Sequence, residues 1–366
     1  MRLGVRAAIV DGALVPGDVE VVDGTIAAVG LARGGSGLAV PGYVDLQVNG
    51  FGGVDFLSTD VDGYGKAGSA LLSRGVTAFQ PTLITVPKQD LLAAVAVARE
   101  AAEIGTGGAR ILGVHLEGPF ISPLRPGAHP VEAISPPDVK LMRQLLAAGP
   151  ITTVTLAPEL PGALELADLL VRAGVTVSCG HTNATAAEAN AAFDRGIHTV
   201  THLFNAMRPL AHRDPGIVGA ALAREDVVIQ IVLDHDHLAR ETSLLVLRAA
   251  RGRLCLVSDA MPAAGLGDGV YQLGPIDILV KGGRARLADG TIAGSTVALD
   301  QAVRNLVDLG SSIEEAVGAV TSVPASVLNR TDIGVLAVGV PADVVVLDDE
   351  LAVSRVLLAG VEADVS

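Results

Sequence analysis

Four residues of this chain pair metal-binding or proton-transfer chemistry with a place at the end of an apolar run. Glu117 ends Ile111-Leu112-Gly113-Val114-His115-Leu116-Glu117, and His181 ends Val175-Thr176-Val177-Ser178-Cys179-Gly180-His181. His202 sits in Thr199-Val200-Thr201-His202-Leu203-Phe204, and Asp259 ends Leu254-Cys255-Leu256-Val257-Ser258-Asp259. A carboxylate or imidazole at the last position of a buried strand is costly to desolvate without a partner. A divalent cation at the mouth of a parallel barrel would serve all four. Glu117, His181 and His202 offer one carboxylate and two imidazoles, a set that suits one Zn²⁺ per subunit, tolerates Fe, Co or Mn, and leaves a position for water. Asp259 would face them across the mouth, placed to take a proton from that water and deliver it to a leaving amine. Taken singly, each has a plainer reading: a strand histidine as a satisfied core residue, Glu117-Gly118-Pro119 as a turn, Asp259 as a helix N-cap. Their conjunction on the third, fifth, sixth and eighth strand candidates favours the metal site.

Those strands belong to an alternating pattern. Candidates lie near residues 40–48, 76–84, 111–117, 152–157, 175–181, 197–203, 227–234 and 254–259, and most gaps hold helix-like segments such as 89–102 and 185–194. Eight βα units imply a (β/α)₈ TIM barrel over residues 41–335. The two ends read differently. Ala7-Ala8-Ile9-Val10 before Asp11-Gly12, and Val19-Glu20-Val21-Val22 before Asp23-Gly24, are hairpin signals. Residues 342–348 and 353–358 are further strands, so 1–40 plus 336–366 are expected to form one small β-sandwich. The Gly-rich stretch 271–294 is expected as an inserted hairpin, and Gly34-Gly35-Ser36-Gly37 as a loop, since no helix pattern follows it.

Composition narrows the class. The chain has 366 residues, half of them hydrophobic but only 2% aromatic and none Trp, which predicts a core of Val, Ile, Leu and Ala. A net charge of −14 without any Lys/Arg-rich run argues against a nucleic-acid partner. Cys179 and Cys255 make no disulfide framework, and there is neither a signal-peptide pattern nor a membrane-length apolar run. A cytoplasmic protein without a membrane partner is expected.

The motifs His115-Leu116-Glu117-Gly118-Pro119-Phe120, Gly180-His181-Thr182, His202-Leu203-Phe204-Asn205-Ala206-Met207 and Val257-Ser258-Asp259-Ala260 resemble the N-acetylglucosamine-6-phosphate deacetylase family of the amidohydrolase superfamily. The resemblance extends from Pro41-Gly42-Tyr43-Val44-Asp45 to Pro324–Asn329 and Gly339–Asp343. It implies hydrolysis of the acetamido group of a 6-phosphorylated aminosugar, with Asp259 handling the proton. It further implies substrate contacts from Ala128, His129, Asn205, the backbone of Ala206, and His237. Arg213 resembles the family's phosphate-binding arginine, supplied across the interface of a homodimer. Ala293 and Gly294 would close over the sugar. His235 stands where the family pattern Asp-Gly-x-His has glycine, a departure that leaves open a crowded site, an altered sugar preference or a stray ligand.

Many amidohydrolases hold a second metal through His-x-His on the first strand or a carbamylated lysine on the fourth. Here Gln47 and Asn49 occupy the first pair of positions, and the fourth strand has no lysine. A single metal is expected. The galactosamine epimer is the alternative substrate. A cyclic-amide hydrolase would usually carry the His-x-His, and a barrel kept only as a binding module would be expected to have lost one of the four residues.

Overall fold

Residues 1–364 are described by the computed structural model of the protein. Eight parallel strands surround its centre: β1 (Tyr43–Val48), β2 (Val76–Ile84), β3 (Val114–Glu117), β4 (Ile151–Leu156), β5 (Thr176–Cys179), β6 (Thr199–Val200), β7 (Val228–Ile231) and β8 (Leu254–Leu256). Each pairs in parallel with the next. The barrel closes beyond β8, where Ala260 bridges Val48 and the Asp259 N–H donates to the Gln47 carbonyl at 2.9 Å. Eight helices follow the strands: α1 (Val61–Leu72), α2 (Lys88–Ile104), α3 (Val139–Ala148), α4 (Ala163–Arg172), α5 (Ala186–Phe193), α6 (Gly216–Ala223), α7 (Arg240–Ala249) and α8 (Leu299–Asp308). Several starts are written locally. Asp60 accepts from the Gly63 N–H at α1, and Thr185 with Glu188 forms a reciprocal capping box at α5. No helix among the described residues is long and apolar enough to cross a membrane.

The aliphatic core expected from composition lies between strands and helices, whereas the inside of the barrel is polar. Gln80 Nε2 donates to Thr153 Oγ1 at 3.0 Å, and His115 Nε2 meets Thr155 Oγ1 at 2.8 Å. Thr155 and Ser178 both bond the Thr201 hydroxyl, at 2.7 and 2.6 Å. Burial lowers the His115 pKa to about 4, so the ring is a neutral hydrogen-bonding spacer. Because Ser178 faces this interior, its neighbour Cys179 alternates outward into the aliphatic layer. The two-residue spacing from Cys179 to His181 therefore does not put both on one side: the chain turns left-handed at His181 (φ 47°).

Both termini build separate sheets. Ala7–Val10, Ala13–Pro16 and Leu38–Pro41 pair with Val344–Leu347, Val353–Leu358 and Val361–Glu362 in one six-stranded sheet. Ala8, Ala39, Val344 and Val346 of this sheet pack against Val19, Val21 and Ile26 of the hairpin Asp18–Val22/Thr25–Leu31. Alternate residues such as Ile9, Val40 and Val345 face the barrel layer instead. The strand expected at 40–48 is thus two strands. It divides at Gly42, where a Cβ would stand 2.2 Å from Thr77 Oγ1. The segment 111–117 is likewise interrupted, at Gly113 (φ 98°). The insert after β8 has three strands rather than two: Gly269–Leu273, Ile276–Lys281 and Arg284–Arg286.

The barrel interior yields a direct test. Thr155→Val keeps the side-chain shape but strips His115 Nε2 and Thr201 Oγ1 of a shared partner. We expect a loss of about 1–3 kcal/mol, the cost of buried polar groups left unmade, read as a lowered thermal midpoint with the secondary structure intact.

Candidate active site

At the C-terminal mouth of the barrel, β3 ends on Glu117, whose carboxylate is 3% exposed. Its Oε1 lies 3.1 Å from His181 Nε2 and 2.9 Å from His202 Nε2, and the two imidazole nitrogens are 3.1 Å apart. Ligand atoms of a tetrahedral zinc at about 2.0–2.1 Å stand roughly 3.3 Å from one another, so the donor set fits a cation. The His181 Nδ1 faces the Arg125 carbonyl at 3.2 Å, which assigns the proton to Nδ1 and leaves the Nε2 lone pair toward Glu117. Glu117, His129 and His181 also lie within metal-holding reach of one another. His129 Nε2, however, is 3.7 Å from Glu117 Oε2, a longer approach than that of His202.

Electrostatics agree with this geometry. Burial opposes the Glu117 charge, but the His129 and His202 rings beside it overcome that and hold the carboxyl well below its usual range. Burial, with the neighbouring His129, lowers His181 to about 4, so its free imidazole is ready to ligate at neutral pH. Burial also works against a proton on His202, yet Glu117 and then Asp259 outweigh it and raise that pKa.

Asp259 sits just past β8 in the left-handed conformation (φ 48°), as do His181 and His202 (φ 29°) past β5 and β6. Such backbone costs on the order of 1–3 kcal/mol per non-glycine residue and turns the side chain off the strand's alternation toward the mouth. Asp259 is not a helix N-cap. Its Oδ1 accepts from Asn49 Nδ2 at 2.7 Å and Gln47 Nε2 at 3.2 Å, while Gln47 Nε2 also reaches Glu117 Oε1 at 3.0 Å. The two amides in the first-strand positions therefore act as donors that tie both carboxylates together. Burial, then the nearby Glu117 charge, raises the Asp259 pKa to about 6.

Two further histidines face the same space with their protons assigned by partners. The Thr85 N–H donates to His129 Nδ1 at 3.2 Å, which puts the proton on Nε2, toward Glu117. His237 Nδ1 pairs with Asp234 Oδ2 at 2.7 Å, and its Nε2 lies 3.9 Å from Asp259 Oδ2. These groups line a cavity of roughly 240 Å³ together with Ala128, Asn205, Ala206 and Gly294. Gly294 (φ 66°) approaches closely because Ser295 bonds the Asp259 carbonyl; a Cβ on Gly294 would stand 3.0 Å from that oxygen.

Three sequence-selected residues lie elsewhere. Ala293 is buried in the apolar cluster of the insert, behind the wall. Arg213 is exposed on the Ala211–Asp214 turn, which is closed by reciprocal backbone bonds and by the Arg208–Asp214 ion pair. His235, left-handed at φ 64°, is exposed and lines a neighbouring groove rather than the cavity. Conversely, Ile84, Leu273, Thr291 and Ile292 line the cavity without having carried any chemical signal in the sequence. Among the described residues the lining includes no Lys or Arg.

Comparison with known proteins agrees with this geometry. The model of the family described as "Amidohydrolase family" matches residues 38–364. The chain is 38% identical over 341 residues to the N-acetylglucosamine-6-phosphate deacetylase of Homo sapiens, covering 89% of this chain and 83% of that one. It is 35% identical over 359 residues to the N-acetylgalactosamine-6-phosphate deacetylase of Escherichia coli O157:H7, covering 96% and 95%. The structure of a mutant Mycobacterium smegmatis N-acetyl-D-glucosamine-6-phosphate deacetylase, in complex with N-acetyl-D-glucosamine-6-phosphate, superposes with a TM-score of 0.94 at 36% identity over 99% of both chains. With its closed barrel, convergent Glu and His donors and near-complete coverage of these relatives, this chain belongs to the amidohydrolase family.

Proposed function

We propose that this protein hydrolyses the acetamido group of N-acetyl-D-glucosamine 6-phosphate, giving D-glucosamine 6-phosphate and acetate. The observation that carries this reading is the meeting of Glu117, His181 and His202 beside Asp259 in one cavity. A single divalent ion held by those three residues, zinc by the chemistry of a two-His, one-Glu set, supplies a Lewis acid and lowers the pKa of water. Asp259, its carboxylate oriented by Gln47 and Asn49, takes the water's proton and passes it to the departing nitrogen. His129, protonated on Nε2, donates toward the acyl oxygen as negative charge develops there. His237, held by Asp234, orients the sugar together with Asn205 and the Ala206 backbone.

The absence of a cationic side chain from the described lining supports a phosphate clamp brought from outside. Arg213, held outward on its turn, fits that role in a homodimer, where it would reach into the partner's cavity; its planar fork meets phosphate oxygens bidentately. The two free thiols suit a reducing, cytoplasmic setting. The smaller apolar cluster, drawn only from residues 3–39 and 336–357, supports the division into 1–40 plus 336–366 and 41–335, with the other face of the terminal sheet packed on the barrel core. A second reading, the galactosamine epimer, draws on the Escherichia coli O157:H7 relative, which matches over 95% of its length.

Acetate release from the two epimeric 6-phosphates and from unphosphorylated N-acetylglucosamine tests the proposal. Fast release from the glucosamine phosphate supports it; preference for the epimer moves the assignment to that sugar; no release from any metal-loaded sample overturns it. In Asp259→Asn we expect kcat to fall by about 10²–10⁴, the range of general acid–base catalysis, with metal content unchanged. The sign of the pH profile follows from Asp259: it must be ionised to accept a proton, so kcat/KM declines on acidification. A bound cation favours the ionised form, which sets this limb at or below the pH 6 indicated by burial. Arg213→Gln should raise KM for the phosphorylated substrate only. If the arginine acts across the interface, mixing high-KM Arg213→Gln subunits with Asp259→Asn subunits yields hybrid dimers with one site of native KM. A mixture that shows only the raised KM of Arg213→Gln rules out action across the interface.

A further inference from the structure

The loop that carries His237 and the turn that supplies Thr291 and Ile292 to the cavity are joined by an ion pair. Asp234 Oδ1 accepts the N–H groups of Asp236 and His237, both at 2.9 Å, so the position of Asp236 is tied to that of His237. Asp236 in turn accepts Arg286 Nη2 through both oxygens, at 2.7 and 2.9 Å, with its side chain only 12% exposed. Arg284 adds a looser approach at 3.5 Å. The other arm of Arg286 donates from Nη1 to the Gly290 carbonyl at 2.8 Å. Gly290 lies in the turn that Leu287 closes on Thr291, and Arg286 bridges Ile292 through the backbone. Thr291 and Ile292 line the same cavity as His237.

We propose that Asp236 and Arg286 are positioning residues that clamp the Thr291–Ile292 wall to the His237 loop and thereby set affinity for the sugar rather than the rate of acyl hydrolysis. Neither touches the metal donors, and Asp236 occupies the x of the Asp-Gly-x-His pattern. A bidentate, charge-assisted contact of this kind holds both distance and orientation. Without it the turn keeps its hairpin bonds and apolar packing but loses its bidentate tie to the His237 loop, and the cavity loosens on the sugar side. The inference rests on the deacetylase reading for its substrate but not for its structural readout.

The test uses full-length, metal-loaded protein with Asp236→Asn, Arg286→Gln, Arg286→Lys and the Asp236→Asn/Arg286→Gln double variant. With N-acetylglucosamine 6-phosphate, each single neutral variant is expected to raise KM roughly tenfold while kcat stays within about twofold, the signature of lost uniform binding. The double variant is expected to be no worse than either single, because both remove one contact. Arg286→Lys should recover part of the loss. In parallel, amide hydrogen exchange of residues 287–292 in the substrate-free protein should accelerate in both neutral variants. Unchanged KM, additive losses, a fall in kcat at constant KM, or unaltered exchange would each overturn the clamp. A wild-type protein inactive on this sugar defeats the functional reading instead, and the exchange experiment then decides the clamp alone.

Discussion

Everything at the mouth of this barrel depends on keeping one buried carboxylate charged. Glu117 is 3% exposed, and an isolated anion at such depth would take up a proton instead. It stays ionised because His129, His202 and Gln47 each turn a nitrogen toward it from different parts of the chain. That convergence requires the strands to be in register around a closed ring, so the β1–β8 closure is electrostatic as well as structural. The closing bonds run through Gln47 and Asp259, and the same residues' side chains share the carboxylate network. Loosening the seam would therefore disturb the charge balance at once.

Proton placement follows from the same economy of partners. The Thr85 backbone donor leaves His129 with its hydrogen facing the cavity, while the Arg125 carbonyl leaves His181 with a lone pair there. Identical side chains thus present opposite polarity a few ångströms apart, decided by which backbone atom each ring meets behind it. His237 is tuned by a carboxylate, Asp234, rather than by backbone. The barrel interior below continues in hydroxyl and amide groups around one buried carboxyl, Asp45, whose pKa burial pushes up to about 7.

Much of this could be read from the chain. Glu117, His181, His202 and Asp259 announced themselves because ionisable groups at the ends of apolar runs have few structural explanations. The eight-unit alternation and the hairpin signals of both ends also matched the observed strands. What escaped reading has common physical causes. Gln47 and Asn49 were legible as poor ligands but not as donors, because their partner Asp259 lies more than two hundred residues away. The polar inner layer escaped because Thr and Ser serve equally well as β-formers. Ile84, Leu273, Thr291 and Ile292 are ordinary apolar or hydroxyl residues whose role comes only from where the insert returns. Cys179 faces away from the mouth that His181 faces, although two residues separate them, because counting by twos fails at a left-handed residue.

That left-handed geometry at His181, His202 and Asp259 has a corollary. Each position combines a disfavoured backbone with a buried ionisable side chain, so the native residue is a poor choice for the backbone itself. Glycine or asparagine there would relieve the backbone but remove a partner from the buried network around Glu117. Each of the three positions thus sets backbone ease against the ionisable group it brings to the mouth, and the strain is confined to the rim where the strands end.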